Sequence, residues 1–334
     1  MPFGQVVIGP PGAGKSTYCH GMHQFLSALH RPVTIVNLDP ANEILPYPCD
    51  LSISELITLP EVMQEFGLGP NGSMLYCMEF LEKNFDWLED GLNRILTKDG
   101  KHKEDGYVIF DVAGQVELST NHDSLKHIIE RLGKLGYRLA AVNLNDAHYV
   151  TDASKYVSVV LLSLRTMLHL ELPHVNVLSK IDLVAAYGEL PFNLEFYTEV
   201  QDLSYLRYEL EKDTRLSKYS ELNRTFCDLI EDFSLVGFET LCVEDKKSML
   251  RLLRVVDQAL GYVSPPHNTH LEGEDHHHSH FSSVGMDPAD FLYNQEVQEK
   301  WVDYPDVYRA QEMKEWREEG ARAQMEETQS RTQV

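Results

Sequence analysis

Short apolar runs alternate along most of this chain with longer segments whose apolar residues recur every three or four positions. The short runs predict strands at 5–8, 33–38, 107–111, 139–144, 176–179 and 236–243. The longer segments predict helices at 15–29, 53–66, 73–96, 125–135, 153–170 and 246–259. Strand and helix in alternation are the pattern of an α/β fold with a mostly parallel sheet flanked by helices. In such a sheet ligands bind beyond the carboxyl ends of the strands, so the residues just after each predicted strand carry the functional expectation.

The pattern changes twice. Between 187 and 235 it is helical and rich in Leu, Tyr and Glu, and it is longer than an ordinary connection, so it reads as a helical insert in a domain spanning 1–262. After Tyr262 the chain runs through PPHNTH and EGEDHHHSH into an acidic stretch, and 263–334 holds fifteen acidic and six basic side chains. That composition is too polar for a core of its own and predicts a flexible tail with one partly helical segment. Trp301 and Trp316 lie in it and suit docking on the core or on a partner alike.

A formal net charge of −23 argues against sequence-independent nucleic-acid binding, which needs a surplus of Lys and Arg. The five cysteines, Cys19, Cys49, Cys77, Cys227 and Cys242, are scattered and show no CxxC spacing. They read as reduced thiols of the cytosol or nucleus. No run approaches the roughly eighteen apolar residues of a membrane span, and MPFGQVVIGPPGAGKS has no basic stretch before its apolar run, so neither membrane spanning nor secretion is expected.

The chemistry begins with GPPGAGKS, Gly9-Pro10-Pro11-Gly12-Ala13-Gly14-Lys15-Ser16, which matches GxxxxGK[ST] between a predicted strand and helix. Its glycines let successive backbone N–H groups turn inward on phosphate oxygens, and the helix N-terminus adds favourable dipole charge. Lys15 is placed to reach the β and γ phosphates, the Ser16 hydroxyl to take a position on Mg²⁺, and Thr17 to touch the α phosphate. A glycine turn that merely caps a helix is the bland alternative. Pro11 stands where deviant loops of MinD-like ATPases carry a second lysine.

Three strand ends extend the site. Asp39 in NLDPAN projects towards the loop, where its carboxylate is a candidate to orient a metal-bound or attacking water, although Asp-Pro is also ordinary turn chemistry. DVAGQVE supplies Asp111 and Gly114 as DxxG, the aspartate for magnesium and the glycine N–H for the γ phosphate. Gln115 and Glu117 follow as candidates to position the attacking water. SKID supplies Ser179, Lys180 and Asp182, the end of a guanine-reading NKxD pattern with serine in the asparagine position. A carboxylate there accepts from N1–H and the 2-amino group of guanine, which adenine lacks; the lysine stem lies along the base.

With LGPNG at 68–72, the set GPPGAGKS, NLDPAN, GQVEL and SKID closely resembles the GPN-loop GTPases over about 3–262, and LPYPCD and VVDQALGY look most like a second eukaryotic paralogue. Gly69-Pro70-Asn71 read alone is a tight turn. The resemblance implies a SIMIBI-like P-loop fold and a Mg²⁺-dependent enzyme that binds GTP and GDP. It also implies a homodimer or a heterodimer with a related GPN-loop GTPase. In such a dimer Asn71 would reach the partner's γ phosphate, with Asp39, Gln115 and Glu117 supplied in cis beside the catalytic candidate Lys15 of the phosphate loop. A role in assembly and nuclear import of RNA polymerase follows from the same likeness, in a cytoplasmic protein that shuttles to the nucleus. Ala113 departs from the family's usual proline, which leaves a nucleotide-binding scaffold with little turnover as a rival, beside a P-loop kinase or ATPase. His267, His270, His276, His277, His278 and His280 read as solvated linker in preference to a metal site, and His122 and His148 as packing or surface residues.

Overall fold

A computed structural model describes residues 2–42, 44–96, 106–200, 202–212, 217–262, 288–314 and 317 of the chain. Its strands are β1 (Phe3–Ile8), β2 (Val33–Leu38), β3 (Leu51–Ser52), β4 (Tyr107–Val112), β5 (Arg138–Asp146), β6 (His174–Ser179) and β7 (Phe238–Leu241). They form a seven-stranded sheet in the order β3-β2-β4-β1-β5-β6-β7. Every pairing is parallel, with Val7 opposite Asp111 on one side and Val142 on the other. β1 sits at the centre, so the loop that follows it lies between the ends of β4 and β5.

The helices of the first half are α1 (Lys15–Ala28), α2 (Leu59–Phe66), α3 (Pro70–Lys83), α4 (Phe85–Leu96), α5 (Val116–Thr120) and α6 (Asp123–Lys134). The second half supplies α7 (Ala153–Leu170), α8 (Val184–Tyr187), α9 (Leu194–Glu199), α10 (Ser204–Lys212), α11 (Ser220–Phe233), α12 (Lys246–Leu260) and α13 (Pro288–Gln298). Successive side chains of a strand face opposite ways, and the strands here are apolar on both faces. Val7, Ile109 and Val142 pack with Tyr18, Met22 and Leu26 of α1 and with Leu252 and Val256 of α12. Val6, Ile8 and Phe110 pack on the other face with Met78 and Leu81 of α3, Leu88 of α4 and Ile128 of α6. Arg31 binds Asp257 through two hydrogen bonds, 2.7 and 3.0 Å, and stacks between Tyr107 and Tyr262. It fastens the last core helix beside the end of α1.

The predicted α/β fold is the observed one, with local differences. The helix expected at 53–66 begins as a separate 3₁₀ turn, because Ser52 and Glu55 form a reciprocal capping box there. Pro60 then opens α2 in its first turn, where its missing N–H costs nothing. The helix expected at 73–96 breaks at Asn84, whose amide turns back to the Phe80 carbonyl at 2.8 Å. Gly69-Pro70-Asn71 is not a free-standing tight turn: Gly69 has an ordinary φ of −72° as N-cap and Pro70 starts α3. Leu51–Ser52 is too short a strand to show in the apolar pattern.

The insert folds as α9 to α11, packed through Leu203, Leu206 and Ile230 against Tyr156 and Val160 of α7. Beyond it, α13 docks on this half of the core. Val297 and Trp301 are buried beside Leu194, Tyr197 and Cys242, and Glu296 pairs with Lys247 at 2.6 Å. A single π turn, Glu299–Asp303, carries Trp301, and 305–314 is helical again. Trp301 therefore faces its own chain. The histidines between 267 and 280, and Trp316, lie outside the described residues. Among the described residues no helix is long and apolar enough to cross a membrane, no three or more His, Cys, Asp and Glu side chains gather as a metal-ligand group, and all five cysteines are free.

Candidate nucleotide site

The phosphate loop is shaped by close approach. Gly9, at φ 139°, has its Cβ position 2.2 Å from the Leu144 carbonyl oxygen, so any side chain would push β1 off β5. Gly12 and Gly14 are left-handed at φ 79° and 90°, and the loop closes with the Ala13 N–H donating to the Pro10 carbonyl at 3.2 Å. Pro10 and Pro11 stiffen the crest, Lys15 opens α1, and Thr17 is exposed one residue on from Ser16. The Lys15 ammonium folds back to donate to the carbonyls of Gly9, 3.1 Å, and Pro10, 3.4 Å. Burial pulls its pKa below the ordinary lysine range, while Asp111 and Asp39 act against that pull. A dehydrated cation in a ring of backbone groups is ready to bind polyphosphate.

Asp111 sits at the end of β4, 1% exposed. Its Oδ2 accepts from the Ser16 hydroxyl at 2.9 Å and the Tyr47 hydroxyl at 2.7 Å, while its buried Oδ1 has no partner among the described residues. Burial pushes its pKa up, against the two hydroxyls and Lys15. The Tyr47 phenol is itself pushed well above its ordinary value, first by burial and then by Asp111, so it stays a donor. Asp39 is half-buried at the end of β2, accepts from the Ala41 N–H at 2.9 Å, and is likewise raised by burial. Ser16 and the two aspartates make a set of oxygen donors with one orphaned carboxylate oxygen. That set suits a hard cation such as Mg²⁺ held mainly through water and phosphate.

Gly114 packs directly on this group, its Cβ position 2.7 Å from Lys15 Nζ and 3.2 Å from Pro11 Cα. Ala113 is buried in the core, 3% exposed. Gln115 caps α5, and its side-chain amide donates to Asn71 Oδ1 at 3.0 Å, which brings the first turn of α3 to the same edge. Glu117 is exposed on α5, and among the described residues no hydrogen bond or ion pair of its side chain joins it to the cluster.

At the other end, the Ser179 hydroxyl lies 2.7 Å from the Ala13 carbonyl and 3.1 Å from that of Asn145, joining β6 to the phosphate loop. Lys180 is left-handed at φ 59°, its stem against Gly14 and its ammonium on Asp146 at 2.7 Å. Asp182 follows in a 3₁₀ turn, half-buried. The structure thus gathers Gly9 to Ser16, Asp39, Asp111 and Gly114 at the phosphate end, and Ser179, Lys180 and Asp182 at the far end. Gly69, Pro70 and Asn71 stand at the rim beside Gln115. Three further residues belong to the site: Tyr47, Asn42, whose amide lies 3.4 Å from Ser16 Oγ, and Asp146. A buried tyrosine between two prolines and an aspartate closing β5 carry no motif, and only the strand-end rule would have raised Asp146.

A central P-loop followed by acidic strand ends defines a P-loop nucleotide-binding protein. Residues 7–262 match the family described as "Conserved hypothetical ATP binding protein". The chain is 52% identical over 310 residues to GPN-loop GTPase QQT1 of Arabidopsis thaliana, covering 92% of this chain and 99% of the relative. It is 52% identical over 305 residues to GPN-loop GTPase 2 of Danio rerio, covering 91% and 93%. The fold is shared with a GTPase of Pyrococcus abyssi crystallised in apo form, with a TM-score of 0.62 at 23% identity over 77% of this chain and 97% of the other. The chain belongs to the GPN-loop GTPase family.

Proposed function

We propose that the protein binds GTP with Mg²⁺ and hydrolyses it. The observation that carries this reading is the joining of phosphate loop, Asp111 and base-reading loop through Lys15, Ser16 and Ser179. The backbone of Gly9 to Ser16 and the Lys15 ammonium hold the β and γ phosphates. Ser16, Asp39 and Asp111 hold the ion, which when bound neutralises charge on the phosphates. Asp39 and Gln115 orient the attacking water, and Asn71 adds an amide at the γ-phosphate end. The two bonded amides of Gln115 and Asn71 support a shared role at that edge. Guanine is favoured over adenine because Asp182 needs two donors from the base, and an unpaired carboxylate there costs on the order of 1–3 kcal/mol. Replacing Asp182 with asparagine should move preference from guanine to xanthine nucleotides, and unchanged preference would contradict the base assignment.

The protein acts as a dimer, with itself or a related GPN-loop GTPase, in this reading. Phe66 and Leu68 are 49% and 38% exposed next to the Gly69-Pro70-Asn71 turn, and an apolar rim at that edge supports pairing there. The client is an RNA polymerase subunit or assembly factor, met in the cytoplasm and carried towards the nucleus; family membership supports this. A pull-down with a non-hydrolysable GTP analogue against GDP tests it, and polymerase subunits absent from both states would contradict it.

A further inference from the structure

The C-terminal segment lies outside the family match at 7–262, yet its described residues run beside Asp182. A cavity of about 810 Å³ opens there, within the size range of ligand pockets. One wall is made by Asp182, Cys242 and Asp245, in the loops that follow β6 and β7. From the tail it is lined by Trp301, Arg309 and Met313. The π turn that carries Trp301 packs on α8 and on the 3₁₀ turn of Asp182. The segment is fixed in this place by named bonds. Lys300, 13% exposed, pairs with Asp245 at 3.2 Å and with Glu312 at 2.8 Å, and Gln298 accepts from the Leu194 N–H at 2.8 Å.

We infer that residues 299–313 form the outer wall of the nucleobase pocket, with Arg309 and Met313 touching the bound base or ribose and Lys300 positioning them. The inference rests on the base-reading assignment of Asp182. Of the base-reading pair, Asp182 lines the cavity itself and Lys180 stands two residues before it, and the cavity's other lining comes from the loop after β7 and from the tail. Arg309 and Met313 are exposed on the tail, Met313 at 59%, and among the described residues Arg309 has no carboxylate partner. A guanidinium and a thioether are groups that lie well against a flat aromatic ring. The match to the plant relative runs over 310 residues, more than the 1–262 domain holds, so a counterpart of the tail is present there too. A base seated in this cavity is covered by this wall on the side of the tail, so the wall slows release and leaves the phosphate grip unchanged.

Release of a fluorescent mant-GDP from the full chain, followed by stopped flow, tests this. Arg309→Ala with Met313→Ala, both at exposed positions, should speed dissociation about tenfold, with association changed less than about twofold. Lys300→Ala should do the same, and Lys300→Arg, which keeps both ion pairs, should restore the slow rate. Asp182→Asn is run beside them. A shift to xanthine nucleotides in Asp182→Asn, together with wild-type release rates in the Arg309/Met313 and Lys300→Ala proteins, would overturn the tail wall and leave the base assignment standing. No shift in Asp182→Asn would remove the base assignment, and the wall with it.

Discussion

The side-chain amide of Gln115 donates to Asn71 Oδ1 at 3.0 Å across 44 residues of chain, joining the start of α5 to the start of α3. Both residues are candidates for the hydrolytic step, and their bond places them at one edge. Asn71→Ala should leave GTP affinity near that of the wild type and lower turnover about a hundredfold, whereas Lys15→Ala should weaken binding itself. Mixing the two variant chains decides where Asn71 acts. If it reaches the neighbour, the mixture recovers about a quarter of wild-type turnover, because each mixed dimer holds one intact site. If it acts only beside its own Gln115, mixing recovers nothing.

Tyr47 donates to the same Asp111 oxygen as Ser16, in a site where burial already raises the carboxylate. Tyr47→Phe keeps the ring and removes the donor. The nucleotide-free protein should lose about 1–3 kcal/mol of stability in denaturant, and GTP binding should need more Mg²⁺ to reach half-saturation. Unchanged Mg²⁺ dependence would mean the hydroxyl serves packing alone.

Gly114 has room for hydrogen and no more. A methyl group there meets the Lys15 ammonium, which can swing, and Pro11 backbone at 3.2 Å, which cannot without moving the loop. Gly114→Ala should keep its melting temperature within a few degrees and lose GTP affinity about tenfold, measured by nucleotide titration.

His174, at the start of β6, is far from the phosphates in the chain path, and burial lowers its pKa to about 4. The folded value lies below the ordinary one near 6.5, so its contribution is complete above pH 6.5 and is lost as pH falls towards 4. Thermal stability should drop between pH 7 and pH 5, and His174→Gln should flatten that part of the curve. An equal drop in the variant would assign the acid sensitivity to other groups.

Much of this was legible in the chain. The strand β1 and helix α1 were readable to within two residues because an apolar run, a glycine loop and an amphipathic helix follow one another without interruption. The parallel sheet followed from strand–helix alternation. What the pattern missed is too short or too local to show in apolar spacing: β3 is two residues long, and the break at Asn84 is set by a side chain bonding its own helix. Lys15, Asp111 and Asp182 were marked by motifs, but Tyr47 and Asp146 join the candidate site through distant partners, 64 and 34 residues away. Composition read the tail as flexible with one partly helical segment and left the docking of Trp301 open between core and partner, and its few apolar residues were enough to seat Trp301 beside Leu194 and Cys242.

The central claim is a guanine nucleotide held between the Lys15 cradle and Asp182. Isothermal calorimetry with Mg²⁺ and GDP or ATP, on the wild type and on Lys15→Ala, tests it most directly. The account predicts saturable GDP uptake by the wild type, none comparable with ATP, and loss of the GDP signal in Lys15→Ala. No heat from GDP at millimolar concentration with folded protein, or equal binding of ATP, would contradict it.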